Sequence, residues 1–216
     1  MQTVEYKMKS KFVTDNKGNC YSVERELENE KGKSALVIMF SSVVDDVKIT
    51  DNTAHLLWNN MLSLGFCKVV TWNLYPSQDK RSEEVQKENL KMLERLVKAD
   101  FDAVLVAWGV SKGYAKYVIE DKEKVYQILS GVKEKLMQIE DVNGRYTGDT
   151  FHPLFAGNYF GGSWKLVKYT IPEVQKEEGG KFESSSKRNR SKSATEEGLS
   201  RFKDKLKNGG SDSDVK

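Results

Sequence analysis

The chain has 216 residues, 38% hydrophobic and 31% charged, with a formal net charge of +3. That length supports one domain with its own core plus a modest appendage. No run approaches the roughly 18–20 apolar residues of a membrane span, and the opening MQTVEYKMKSK lacks the apolar stretch of a secretory leader. Cys20 and Cys67 are the only cysteines, too few for a disulfide framework or a zinc cluster. These features predict a cytoplasmic protein with no membrane partner, no cofactor and no bound metal.

In chain order, Thr3–Thr14 and Asn19–Leu27 predict two short strands joined by a turn at Asp15-Asn16-Lys17-Gly18. Asn and Gly tolerate the positive φ that such turns need. The alternation in CYSVERELE suits a half-exposed strand at a sheet edge, so an N-terminal edge hairpin is expected. From Ala35 the rhythm becomes strand, helix, strand, helix. ALVIMF, CKVVTW and AVLVA are buried-strand runs. Between them lies a helix capped at Asp51 or Asn52 with Leu57, Met61 and Leu64 inward, then one capped by Ser82 with Val85, Met92, Leu93, Leu96 and Val97 inward. A third helix is predicted over Tyr114–Ile139. Strands alternating with helices imply parallel strands and right-handed crossovers. The expected fold is α/β, a three-layer α/β/α arrangement with a mainly parallel central sheet.

Residues 1–174 are expected to form this single domain, and 175–216 a disordered basic tail, poor in apolar residues. All the net positive charge lies in that tail, with 11 lysines and arginines against 8 acids. Its densest cluster, Lys187, Arg188, Arg190 and Lys192, is either a solvated charge run or a nonspecific anchor for nucleic acid. ATEEGLSRFKDKLK has weak helical spacing that suits folding on a protein partner.

In parallel α/β sheets the ligand crevice lies beyond the carboxyl ends of the strands. Ser41, Asp46, Asp51 and Thr53 follow the first run, Asn73 the second, and Trp108-Gly109 the third. Carboxylates there can bind a metal, activate water or accept hydrogen bonds from a base or ribose, though Asp51 also sits where a helix cap falls. Asn73 offers an amide with both donor and acceptor edges. Trp108 can stack on a base or close the core. Gly109 permits close backbone approach. FHPLFAGNYFGG, read as a polar loop, holds His152, extended by the proline after it, with Phe155 and Tyr159 as stacking candidates. No G-x-G-x-x-G, phosphate-binding P-loop or G-x-S-x-G elbow occurs.

These landmarks resemble the domain of unknown function sixteen-forty-three family. Its pattern runs from N-P-S-x-A-D and D-P-T through N-L and W-G to H-P-L. Asp46 matches the first motif; Asp51 and Thr53 match the second. Asn73-Leu74, Trp108-Gly109 and His152-Pro153-Leu154 match the others. Ser41-Ser42-Val43 stands where the family reads N-P-S, and Asn52 replaces the proline of D-P-T. The resemblance covers about Tyr21 to Leu166. A more distant likeness, carried by Trp108-Gly109 and His152-Pro153, is to the uracil-DNA glycosylase superfamily. It implies Asp46 as the water-activating carboxylate, His152 as the electrophile and Phe155–Phe160 as a strand-probing loop, with a base flipped into the pocket. The resulting expectation is a protein that binds a nucleotide or nucleic-acid base at the strand ends, as a glycosylase-like or nucleotide hydrolase. The alternative is a non-catalytic nucleic-acid- or protein-binding module of the same fold.

Overall fold

The computed structural model describes residues 3, 5–41, 51–77, 81–109, 115–148, 150–161 and 163–172. Asp46, Lys112, Gly113 and the 175–216 segment with its basic cluster lie outside them.

A hairpin opens the chain: β1 (Met8–Thr14) pairs antiparallel with β2 (Cys20–Leu27). Its turn is held by Asp15, whose Oδ1 accepts the backbone N–H groups of Lys17 at 2.8 Å and Asn19 at 3.0 Å. There follow β3 (Lys33–Ser41), α1 (Asn52–Ser63), β4 (Phe66–Tyr75), α2 (Glu83–Leu96), β5 (Ala103–Val106), α3 (Lys116–Leu129), β6 (Leu136–Asp141), α4 (Pro153–Tyr159) and β7 (Trp164–Lys168). The described residues form one seven-stranded sheet in the order β1-β2-β4-β3-β5-β6-β7. β4, β3, β5 and β6 are mutually parallel, and β2 and β7 pair antiparallel on either side of them.

The sheet is therefore mixed rather than mainly parallel. β2 does not lie at the edge, since β1 pairs along its outer side, and the partial burial of CYSVEREL belongs to side chains that alternate between the two faces of the sheet. The helix expected over Tyr114–Ile139 also differs. α3 stops at Leu129, a 3-10 turn spans Ser130–Lys135, and Leu136–Asp141 is a strand. Val132, Leu136 and Ile139 recur at helical spacing, but Val132 has φ −128°, outside the helical region, and Leu136 and Ile139 are core residues of β6.

β3 explains the two-sided core. Ala35, Val37 and Met39 turn to one face and pack with Leu57 and Met61 of α1 and Ala156 of α4. Leu36 and Ile38 turn to the other face, with Leu93 of α2 and Val118, Val125 and Leu129 of α3. A strand covered on both faces reads as an unbroken apolar run, which is why ALVIMF shows no alternation. α4 comes close to α1 through Gly157, where an added Cβ would lie 2.5 Å from the Leu56 side chain.

Candidate functional site

The parallel strands end at Ser41, Tyr75, Val106 and Asp141. On the face covered by α1 and α4, both helices begin at this end of the sheet, and each is capped by a residue of the expected site.

His152 is the N-cap of α4, with extended backbone (φ −71°, ψ 141°) fixed by Pro153 at the first helical position. Its Nδ1 accepts the Leu154 backbone N–H at 3.3 Å. An accepting Nδ1 carries no proton, so the neutral ring holds its proton on Nε2 and presents it as a donor. Burial lowers the His152 pKa below the ordinary 6.5, while the Asp51 carboxylate pulls it back up. The net effect of its surroundings favours the neutral imidazole.

Gly109 follows β5 with φ +87°, and an added Cβ there would lie 3.3 Å from His152 Cβ. Its carbonyl accepts the Thr150 hydroxyl at 3.0 Å. The end of β5 and the approach to α4 are stitched together at this point, which places the imidazole at the strand ends. Thr150 carried no sequence signal, being one threonine in a polar stretch.

Asp51 caps α1: its Oδ1 accepts the Ala54 N–H at 2.7 Å. Its charge also acts on His152 and on Arg25. Thr53 is buried in the first turn of α1, and Ser41 ends β3 half-buried, across from Tyr75. Asn73 lies inside β4 rather than beyond it, in register with Met39. Alternation from Val69 puts it on the α1 and α4 face. It is 7% exposed, and its Oδ1 has no hydrogen-bond partner among the described residues. Such an orphaned acceptor is costly unless a ligand or water meets it.

Two expectations need correction. The stretch from Phe151 is not a loop: α4 occupies Pro153–Tyr159, so most of the segment proposed to probe a strand is helical. Phe155 and Tyr159, one turn apart, are exposed and stacked at 4.5 Å, with Tyr146 edge-on to Phe155 at 5.7 Å. Trp108 does not line this site. Ala107 turns toward the α1 and α4 face, so Trp108 turns toward α3. There it is 3% exposed, with Lys122 Nζ 4.5 Å above the ring and Tyr126 edge-on at 5.3 Å.

A second polar group that sequence reasoning missed sits on the α2 and α3 face. Asp121, fully buried, accepts from Arg81 Nε at 2.9 Å and Nη2 at 3.1 Å, from Lys124 at 3.1 Å and from the Tyr75 hydroxyl at 3.4 Å. These partners hold its carboxyl below the usual value despite the opposing effect of burial. Burial pushes Lys122 down to about 8 and raises the Tyr75 phenol. His55, exposed on α1, pairs with Asn59 at 3.0 Å. Among the described residues no cluster of His, Cys, Asp or Glu is placed to hold a metal ion, and no helix is long and apolar enough to cross a membrane.

The fold and site define a mixed α/β protein with a polar site at the carboxyl ends of its parallel strands. The chain belongs to the family described as "Protein of unknown function (DUF1643)", whose model matches residues 21–154. That span runs from β2 into the first turn of α4, so it contains Asp51, Asn73, Gly109 and His152 and stops before Phe155. No curated protein matches the chain.

Proposed function

We propose that the chain binds a nucleotide or nucleic-acid base at the carboxyl ends of β3, β4 and β5, in a three-layer arrangement like that of the uracil-DNA glycosylases. The observation that carries this reading is the state of His152. Capping α4 fixes Nδ1 as an acceptor, burial keeps the ring neutral, and Nε2–H is left to donate to a carbonyl oxygen such as that of a pyrimidine. Asn73, with an unmet amide oxygen on the same face, is suited to read a base's amino or imino hydrogen. Phe155 and Tyr159 offer a stacking surface nearby, on the helix that His152 caps. In the catalytic form, Asp46 or Asp51 orients the attacking water while His152 stabilises charge on the departing base. The tail cluster at Lys187, Arg188, Arg190 and Lys192 adds nonspecific affinity for a polyanion.

Base excision from DNA carrying uracil or modified bases, measured alongside nucleoside binding by calorimetry, tests this. His152→Gln should weaken nucleoside binding about tenfold, the value of one hydrogen bond to a polar ligand. Unchanged binding would overturn the role given to His152. One observation favours a non-catalytic form: the carboxylate acting on His152, Asp51, already has an oxygen committed to the Ala54 N–H. Binding without excision by the wild-type chain identifies that form.

A further inference from the structure

Arg25 lies in β2 across from Val69 of β4, and Val69 packs with Leu57 and Met61 of α1. Alternation sends Arg25 to the face that α1 and α4 cover. Its neighbours Glu24 and Glu26 turn to the opposite face, where they hold Lys68 at 3.1 and 3.6 Å. Arg25's own strand therefore supplies it with no counter-ion. It is half-buried, and among the described residues its guanidinium donates no hydrogen bond and joins no ion pair. Burial is the main influence on its pKa, which is lowered, and the carboxylate that opposes this is Asp51 at the start of α1. Asp51 also acts on His152, so one carboxylate lies within electrostatic reach of both side chains.

A guanidinium stays charged and carries five donors in a rigid fork. Half-burying that charge is unfavourable, and none of its donors is paired among the described residues, so they are open to solvent or to a ligand. A ligand oxyanion resolves both the charge and the donors, and two parallel N–H···O bonds match a phosphate. Asp51 does not block such an anion: one of its oxygens caps α1, and the helix start offsets part of its charge. We infer that Arg25 forms an anion subsite taking a phosphate group of the ligand whose base lies at His152. This rests on the base-binding reading above and narrows it to phosphorylated ligands: a nucleoside monophosphate, or a nucleic-acid strand through its backbone diester.

Calorimetry on the full chain with the common nucleosides, their 5′-monophosphates, a dinucleoside monophosphate and inorganic phosphate tests it. The expected result is a monophosphate bound about tenfold or more tightly than its nucleoside, the value of a charge-assisted hydrogen bond. Arg25→Met should erase that gain and leave nucleoside affinity unchanged. Arg25→Lys, a point charge without the fork, should retain part of it. Thermal melts of both variants establish that β2 is intact, and the Met variant is expected to melt no lower than wild type. A gain equal for the dinucleoside monophosphate assigns the site to a backbone diester, and a gain confined to the monoester assigns it to a free nucleotide. Equal wild-type affinity for nucleoside and monophosphate overturns the inference and leaves base binding standing, as does a gain that survives Arg25→Met. Binding of inorganic phosphate lost in Arg25→Met, with no nucleoside bound, sinks the base reading and keeps the anion subsite. No binding of any probe overturns both.

Discussion

The two faces of the sheet both carry polar side chains near the ends of the parallel strands, and their charged groups are met in opposite ways, although Gln86 Nε2 and Asn89 Oδ1 of α2 are unpaired among the described residues as Asn73 Oδ1 is. On the α2 and α3 face the charges answer one another. Asp121 is surrounded by Arg81, Lys124 and Tyr75, and the Lys122 ammonium lies over Trp108. On the α1 and α4 face the polar groups are fixed in place but incompletely met. His152 spends one nitrogen on capping and leaves the other, Asn73 has an unmet oxygen, and Arg25 has no partner among the described residues. A buried network that is satisfied within the protein acts on stability, and one that leaves donors and acceptors over is suited to a ligand. Location at the strand ends alone does not separate these cases; the hydrogen-bond partners do.

That contrast predicts a graded series of effects. Asp121→Ala should be the most damaging change, costing about 2 kcal/mol because it removes the buried acceptor that Arg81, Lys124 and Tyr75 share, while Arg81 and Lys124 keep part of their solvent. Urea denaturation measures this, and a cost under about 1 kcal/mol would show that the network is not structural. Asp51→Ala should cost about 1 kcal/mol through loss of the α1 cap. It should also move the His152 pKa lower still, because the carboxylate that raises it is gone; NMR titration of the ring reads that directly.

The pH dependence of stability is a smaller effect with a definite sign. The folded His152 pKa lies below 6.5, so between the two values the unfolded chain binds more protons than the folded one. Stability from this group is complete above about pH 6.5, falls as pH drops toward the folded value, and levels off below it. Denaturation midpoints from pH 7.5 to 5 should show a component absent from His152→Gln. Least damaging of all is Asn73→Leu, expected to leave stability unchanged or raised, because it removes a buried acceptor that has no hydrogen bond to lose among the described residues. The same variant should lose nucleoside affinity. A large destabilisation with unchanged binding would move Asn73 to the structural side of the comparison.

Much of this was legible in the sequence where one physical signal dominated. The apolar runs of β3, β4 and β5 stand out because both their faces are buried, and Asp51 announced a helix start by residue type and place. The hairpin turn followed from Asp15, Asn16 and Gly18. The failures came where two periodicities agree over a short span. Leu136 and Ile139 fit a helix as well as a strand, and only the break at Val132 decides between them. FHPLFAGNYF, with its asparagine, glycine and proline among aromatics, reads as a loop, yet the capped start at His152-Pro153 and the packing of Gly157 against Leu56 make it helical. For Trp108 the strand end was right and the face wrong, because a one-residue step in a strand reverses the side a chain faces. Arg25 gave no sign at all. In sequence it is one charge among Glu24, Glu26 and Lys68, and only pairing with β4 shows that its neighbours turn away from it.

The central claim is that a neutral His152 offers Nε2–H to a base carbonyl, and ¹⁵N NMR of the imidazole tests it most directly. At pH 7 the account predicts a single neutral tautomer protonated on Nε2, a pKa below 6.5, and a shift of the Nε2–H signal when a pyrimidine nucleoside is added. A ring charged at pH 7, a proton on Nδ1, or an Nε2–H signal indifferent to every nucleoside would contradict it.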